Sequence, residues 1–183
     1  MKTKVLEGVL AIFKKKGVRF TMDDLASELS MSKKTLYRIF PDKSAMLMEL
    51  LEYVFDLTNQ KRSRIYNDPS LRSDEKFYRI ICCLPNGMRE INLTELYKTK
   101  KRYPEHWDRL KKYVDEDWDT TVRALNDAIA DGYLRPINDQ LLRIAYGAAV
   151  ERFLTGDDLE KVGVSFAEAL EKFANVLVEG IRA

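Results

Sequence analysis

The chain has 183 residues, 45% hydrophobic and 33% charged, with eight Gly, five Pro and a formal net charge of +2. That balance excludes a disordered or collagen-like polymer and argues against a turn-dense β protein; it fits a soluble, helical chain long enough to bury a sizeable core. Cys82 and Cys83 are the only cysteines. Neighbouring residues rarely reach disulfide geometry, so no disulfide framework is expected and the cytoplasm is the expected compartment. The longest apolar run, residues 144–150, is too short to cross a membrane. Glu7 breaks the apolar stretch near the N-terminus, and no small-residue cleavage site follows.

Charge is distributed unevenly. Residues 1–43 hold ten Lys/Arg against five acids, leaving 21 of the 31 bases and 24 of the 29 acids for the remainder. A basic end on a slightly acidic body is the footprint of a nucleic-acid-binding head. Part of that charge also suits a helix C-terminus, where Lys14, Lys15 and Lys16 complement the dipole.

The first helix is predicted over 2–16. Val5, Leu6, Val9, Leu10, Ile12 and Phe13 form a broad apolar stripe, and Gly17 suits the stop. Residues 21–43 follow as two short helices joined by a tight turn. Thr21 and Asp24 make a capping-box-like start, and Met22, Leu25, Ala26 and Leu29 give one apolar face. Ser30-Met31-Ser32 interrupts that pattern, with Ser32 as cap for the next helix and Met31 as an apolar pin for the turn. In the second helix Leu36 and Phe40 face inward, which leaves Lys33, Lys34, Thr35, Tyr37 and Arg38 outward; Pro41 ends it. This is the layout of a helix-turn-helix whose second helix enters the DNA major groove. Lys33, Lys34 and Thr35 lie in the first turn of that helix and are candidates for base edges. Arg38 suits base or phosphate, and Thr21 and Ser32 suit phosphates at helix starts.

The run Met31-Ser32-Lys33-Lys34-Thr35-Leu36-Tyr37-Arg38-Ile39-Phe40-Pro41-Asp42-Lys43 resembles the recognition-helix signature of the TetR (tetracycline-repressor-like) family. Residues 5–50 carry the specific likeness. The resemblance implies an all-α fold, a three-helix helix-turn-helix head over 1–45 and a helical effector-binding and dimerisation body over 46–183. It also implies a dimeric, ligand-responsive transcriptional repressor on double-stranded DNA, with Tyr37 and Lys43 on phosphates. Many members carry Gly in the turn and a small residue where this chain has Ser30 and Lys34.

A longer helix is predicted over 43–66, from Met46, Leu47, Leu50, Leu51, Val54, Phe55 and Leu57. Lys43 at its start opposes the dipole, which a nearby phosphate would explain. Because it leaves the head and enters the body, this helix is the natural lever between them. Asn67-Asp68-Pro69-Ser70 is a turn cluster that ends the head side of the chain. Apolar helical segments are then expected at Phe77–Leu84, stopped by Pro85-Asn86-Gly87, and at Met88–Lys101. The basic end at Lys98-Lys100-Lys101-Arg102 reads as solvated surface. Trp107, Leu110, Val114, Trp118, Val122, Leu125 and Ile129 predict one helix over 104–131, opened by Pro104 and closed by Gly132.

Two more helices are predicted, over 138–154 and 158–181. Both are apolar on more than one side, so each must be covered on most sides. At the end of a small domain that argues for a partner copy, through a four-helix interface built on Leu142, Tyr146, Ala149, Phe153, Phe166, Leu170, Phe173 and Leu177. From the resemblance, Phe55, Phe77, Ile81, Met88, Tyr97, Trp107 and Trp118 are candidates to line a small-molecule effector pocket, though ordinary core packing accounts for each of them equally well.

No catalytic constellation, metal-ligand set, glycine-rich phosphate loop or cofactor signature is present, and His106 is the sole histidine. The expectation is a homodimeric DNA-binding regulator, not an enzyme, with no cofactor or metal and no membrane partner. The alternative is a helical small-molecule-binding or interaction module without DNA binding.

Overall fold

A computed structural model describes residues 1–84, 103–116, 118–155 and 157–183. The described helices are α1 (Lys2–Lys16), α2 (Met22–Glu28), α3 (Lys33–Ile39), α4 (Lys43–Tyr66), α5 (Ser73–Ile81), α6 (Pro104–Glu116), α7 (Asp119–Ala130), α8 (Asp139–Thr155), α9 (Asp158–Lys161) and α10 (Phe166–Gly180). No described helix is long and apolar enough to cross a membrane. The expected helix over 88–101, with its basic end, lies outside the described residues, as does the Pro85-Asn86-Gly87 stop.

Apolar side chains gather into two clusters. In the first, Val5, Val9, Ile12 and Phe13 of α1 pack with Phe20, Leu25 of α2, Leu36 of α3, Phe40, and Met46, Leu47 and Leu50 of α4. Gly8 lets α1 approach the end of α2 closely: a Cβ there would sit 2.3 Å from Leu29 Cδ2. The second cluster joins α5 (Phe77, Ile80, Ile81), α7 (Ala124, Leu125, Ala128), α8 (Leu142, Tyr146, Val150, Leu154) and α10 (Leu170, Ala174, Val178). The α4 helix, about 36 Å long at 1.5 Å per residue, touches both. Met46, Leu47 and Leu50 are in the first cluster, and Ile65 and Tyr66 lie against the second.

Two helices are shorter than the apolar periodicity predicts. The stretch 104–131 is two helices, α6 and α7, meeting at Trp118. They serve different partners. From α6, Arg109 Nη2 reaches Glu52 Oε1 at 3.2 Å and Tyr113 stacks on Phe55 at 4.3 Å, both on α4. By contrast α7 packs most extensively on α5. A single straight helix over this span would run about 42 Å and could not follow both. Trp118 is buried at the joint, edge-on to Tyr146 at 5.3 Å.

Likewise 158–181 is the one-turn α9 and the longer α10. Gly163 adopts φ 67, a left-handed turn that stops α9. Ser165 then caps α10 by accepting from the Glu168 backbone N–H at 3.2 Å.

Candidate nucleic-acid interface

The helix-turn-helix is assembled by local chemistry. Thr21 accepts from the Asp24 N–H at 3.1 Å, and the Asp24 carboxylate accepts from the Thr21 N–H at 2.7 Å, a reciprocal capping box. Lys16, 2.6 Å from that carboxylate, together with the Thr21 N–H and hydroxyl, holds Asp24 well below the usual carboxylate range. The box therefore stays charged further into acid than an ordinary carboxylate would.

Ser30 turns the chain with φ 51, the only non-glycine positive φ among the described residues. A side chain in the left-handed region costs about 1–2 kcal/mol relative to glycine's free access. Ser30→Gly is expected to raise stability by about 1 kcal/mol, after the entropy that glycine loses on folding. Urea denaturation checks it; an unchanged or lower midpoint would show that the serine side chain compensates.

Ser32 caps α3, accepting from the Thr35 N–H at 3.1 Å, and its hydroxyl also meets Thr35 Oγ1 at 2.8 Å. Leu36 is fully buried at 0% exposure. One inward leucine and two flanking half-buried residues, Thr35 and Ile39, thus orient the helix, and Lys33, Lys34, Tyr37 and Arg38 stand exposed. Lys33 Nζ lies 2.6 Å from Asp23 Oδ1, which raises the lysine pKa and keeps it charged. The lysines ending α1 are similarly engaged: Lys15 pairs with Glu28 at 2.5 Å and Lys16 with Asp24 at 2.6 Å. Lys34 and Arg38 make no ion pair among the described residues and are exposed on α3.

Thr21, Tyr37 and Lys43 come together along one groove of about 570 Å³, with Arg19, Phe20 and Tyr103 on its walls. The Lys43 ammonium donates to the Val18 carbonyl at 2.6 Å and to the Phe20 carbonyl, and sits over the Phe20 ring at 4.4 Å. Main-chain oxygens of the α1–α2 link thus offset the cation at the start of α4. The helix start itself is capped by Asp42, which accepts from the Ala45 N–H at 2.8 Å.

The family model for bacterial regulatory proteins of the tetR family matches residues 5–50. Over its whole length the chain is 30% identical to an uncharacterized HTH-type transcriptional regulator, YvaF, of Bacillus subtilis (strain 168), covering 96% of that protein. The chain belongs to the TetR family. It is accordingly a transcriptional regulator with a DNA-binding helix-turn-helix, not an enzyme. Among solved structures it resembles a TetR transcription regulator from Haloarcula marismortui ATCC 43049, with TM-score 0.75, 12% identity, and 100% and 98% of the two chains covered. It also resembles the TetR family regulator PfmR from Thermus thermophilus, with TM-score 0.62, 18% identity, and 96% and 97% covered. These likenesses speak to fold, and the all-helical architecture agrees with them.

Of the expected pocket residues in this TetR-family body, Phe77, Ile81 and Trp118 pack in the body core, and Phe55 stacks on Tyr113. Met88, Tyr97 and the side chain of Trp107 lie outside the described part. Tyr146 donates its hydroxyl to the Ile81 carbonyl, and burial pushes that phenol well above its usual range.

The expected interface residues also divide. Leu142, Tyr146 and Leu170 are buried inside the single chain, because they form the inward side of α8 and α10. Ala149, Phe153, Phe166, Phe173 and Leu177 are half-buried. The apolar side chains that one chain leaves uncovered sit one or two positions away: Leu141 at 61% exposure, Ile144 at 68% and Val176 at 69%. Ala145 and Ala148 complete that face of α8 at helical spacing.

His106, which no sequence motif marks, is buried with its Nε2 3.1 Å from Ser44 Oγ at the start of α4. Nothing local signals this, since the partner is 62 residues away.

Proposed function

We propose that this regulator is a cytoplasmic, homodimeric repressor that binds a palindromic operator and is released by a small-molecule effector. The observation that carries the reading is α3 itself, anchored by Leu36 with Lys34, Tyr37 and Arg38 exposed side by side. Residues 1–45 act as the head and 46–183 as the body. Lys33, Lys34 and Thr35 read base edges from the first turn of α3. With its hydroxyl tied to Ser32, Thr35 offers its methyl, which fits a thymine methyl. Tyr37, Arg38, Thr21 and Ser32 set register on phosphates. The uncovered apolar faces of α8 and α10 support an isologous dimer, whose two heads would read half-sites about 34–36 Å apart or a multiple of that.

An effector binding in the body next to α4 would tilt the lever and change the spacing of the heads. Such coupling is typically about 1–3 kcal/mol and requires the effector to prefer the DNA-incompetent state. Selection from a random DNA pool tests the core of this reading. An inverted repeat is expected; a folded protein that enriches no sequence would favour a ligand-binding module without DNA binding.

Substitutions separate the roles. Tyr37→Phe is expected to weaken binding to every sequence by a similar factor. Thr35→Ala is expected to change the preferred base at one position of each half-site, by about 1–3 kcal/mol. Equal losses on all sequences for both variants would overturn the base-reading assignment.

A further inference from the structure

Two cations, Arg19 and Lys43, line the groove beside Tyr37, and they are used differently. Lys43 is half-buried and turned inward. It donates to the Val18 carbonyl at 2.6 Å and to the Phe20 carbonyl, with its charge 4.4 Å from the centre of the Phe20 ring. Those two carbonyls bracket Arg19. The residues that bear them are anchored in the head core, Phe20 at 1% exposure and Val18 packed against it. The Arg19 backbone is therefore held from both sides, by its neighbours' side chains in the core and by their oxygens on Lys43. Its own side chain is exposed on the groove wall.

The Arg19 guanidinium has no ion-pair partner among the described residues. The lysines around it differ: Lys15 is held by Glu28, Lys16 by Asp24 and Lys33 by Asp23. Each of those must give up a carboxylate before it can neutralise a phosphate, and Arg19 need not. The groove's acid, Asp23, is already engaged by Lys33 at 2.6 Å. A guanidinium also presents a planar fork that matches two phosphate oxygens at once. Tyr37, 47% exposed, stands on the same groove.

We propose that Arg19 takes a DNA phosphate beside Tyr37, and that Lys43 is the residue that positions it, through the Val18 and Phe20 carbonyls. The proposal rests on the DNA-binding reading above. Lys43 is the first residue of α4, so the seat of Arg19 is fixed to the helix that joins head and body.

Salt dependence separates a residue that neutralises a phosphate from one that acts through another. Each phosphate contact contributes about 0.9 to the slope of log affinity against log salt. Arg19→Gln is expected to flatten that slope by about 0.9 per head, or about 1.8 for a two-headed dimer. It should weaken binding to a duplex recovered by selection and to unrelated DNA by a similar factor, about ten-fold at low salt. Arg19→Lys, which keeps the charge, should keep the slope. Lys43→Met is expected to flatten the slope as Arg19→Gln does, and to add little in the double variant, because both remove the same contact. In the free protein it should also quicken hydrogen exchange of the Thr21 amide, which donates to Asp24 just beyond the bracketed residue. Should Lys43→Met lose the head altogether, Lys43→Gln, which keeps one donor, carries the same comparison.

An Arg19→Gln slope equal to that of the wild type would overturn the phosphate contact. A double variant whose slope falls by the sum of the two single changes would make Lys43 a phosphate contact in its own right and overturn its positioning role. Unchanged Thr21 exchange in the Lys43 variant would do the same. Wild-type protein that binds no DNA at any salt concentration would instead overturn the DNA-binding reading, and the Thr21 exchange would still decide whether Lys43 holds the segment around Arg19.

Discussion

Ile144→Asp is expected to yield a folded monomer that has lost most of its operator affinity. Ile144 is 68% exposed in the single chain, so the protomer does not depend on it; exposed substitutions usually change stability by less than about 0.5 kcal/mol. Its neighbours at helical spacing, Leu141, Ala145 and Ala148, are exposed as well. A carboxylate placed there would have to be desolvated without a partner for two copies to close on this face, at a cost of several kcal/mol, or about a thousand-fold in dimer affinity. A monomer then carries one head. The second head's contribution to binding, an avidity gain of about 10²–10⁴, disappears with the dimer. Sedimentation velocity and an operator titration on the same sample check both halves. A variant that still sediments as two chains would place the interface elsewhere, whereas a monomer with full affinity would show that one head suffices.

The contrast between the two ends of the chain shows what periodicity can and cannot reveal. In residues 21–43 every deciding contact is short in sequence: Thr21 with Asp24, Ser32 with Thr35, Leu36 and Phe40 on one inward side. Those are three- and four-residue relationships, and they were legible. Along α8 the same reasoning met a helix apolar on two sides. Spacing alone could not say whether the row of Leu142 and Tyr146 or the row of Leu141 and Ile144 turned inward; packing against α5 and α10 selected the first.

The stripe from Trp107 to Ile129 hid a change of partner, because a residue pattern records that a face is covered but not by what. Gly163 and Ser165 did signal the α9–α10 break, yet the apolar run around them concealed it. The engagement of Lys43 with the Val18 and Phe20 carbonyls, and of His106 with Ser44, joins groups 23 to 62 residues apart. No local rule reaches them. The charge excess of residues 1–43 was also partly misleading, since Lys15, Lys16 and Lys33 are paired with acids on α2.

Leu36→Ala is expected to remove DNA binding while leaving the body folded. The α3 helix is seven residues long, well short of the roughly 12–15 residues an isolated helix needs to be even marginal in water. Its orientation therefore comes from packing, and Leu36, at 0% exposure, is its one fully buried side chain. Truncating a buried leucine to alanine costs about 2–5 kcal/mol, the larger figure where the cavity cannot collapse. Here the walls are α1, α2 and α4, already braced by Val9, Ile12, Phe20 and Met46, so little collapse is expected. The body core shares no buried residue with this cluster. Hydrogen exchange should accordingly quicken across α1–α3, with α5, α7, α8 and α10 still protected. Operator affinity falls with the population of ordered α3, whereas Leu36→Met, which nearly conserves volume and costs less than about 1.5 kcal/mol, should restore most of it. Wild-type affinity and unchanged exchange in Leu36→Ala would mean that Thr35 and Ile39 suffice to hold the helix, and that the head's anchor lies outside α3.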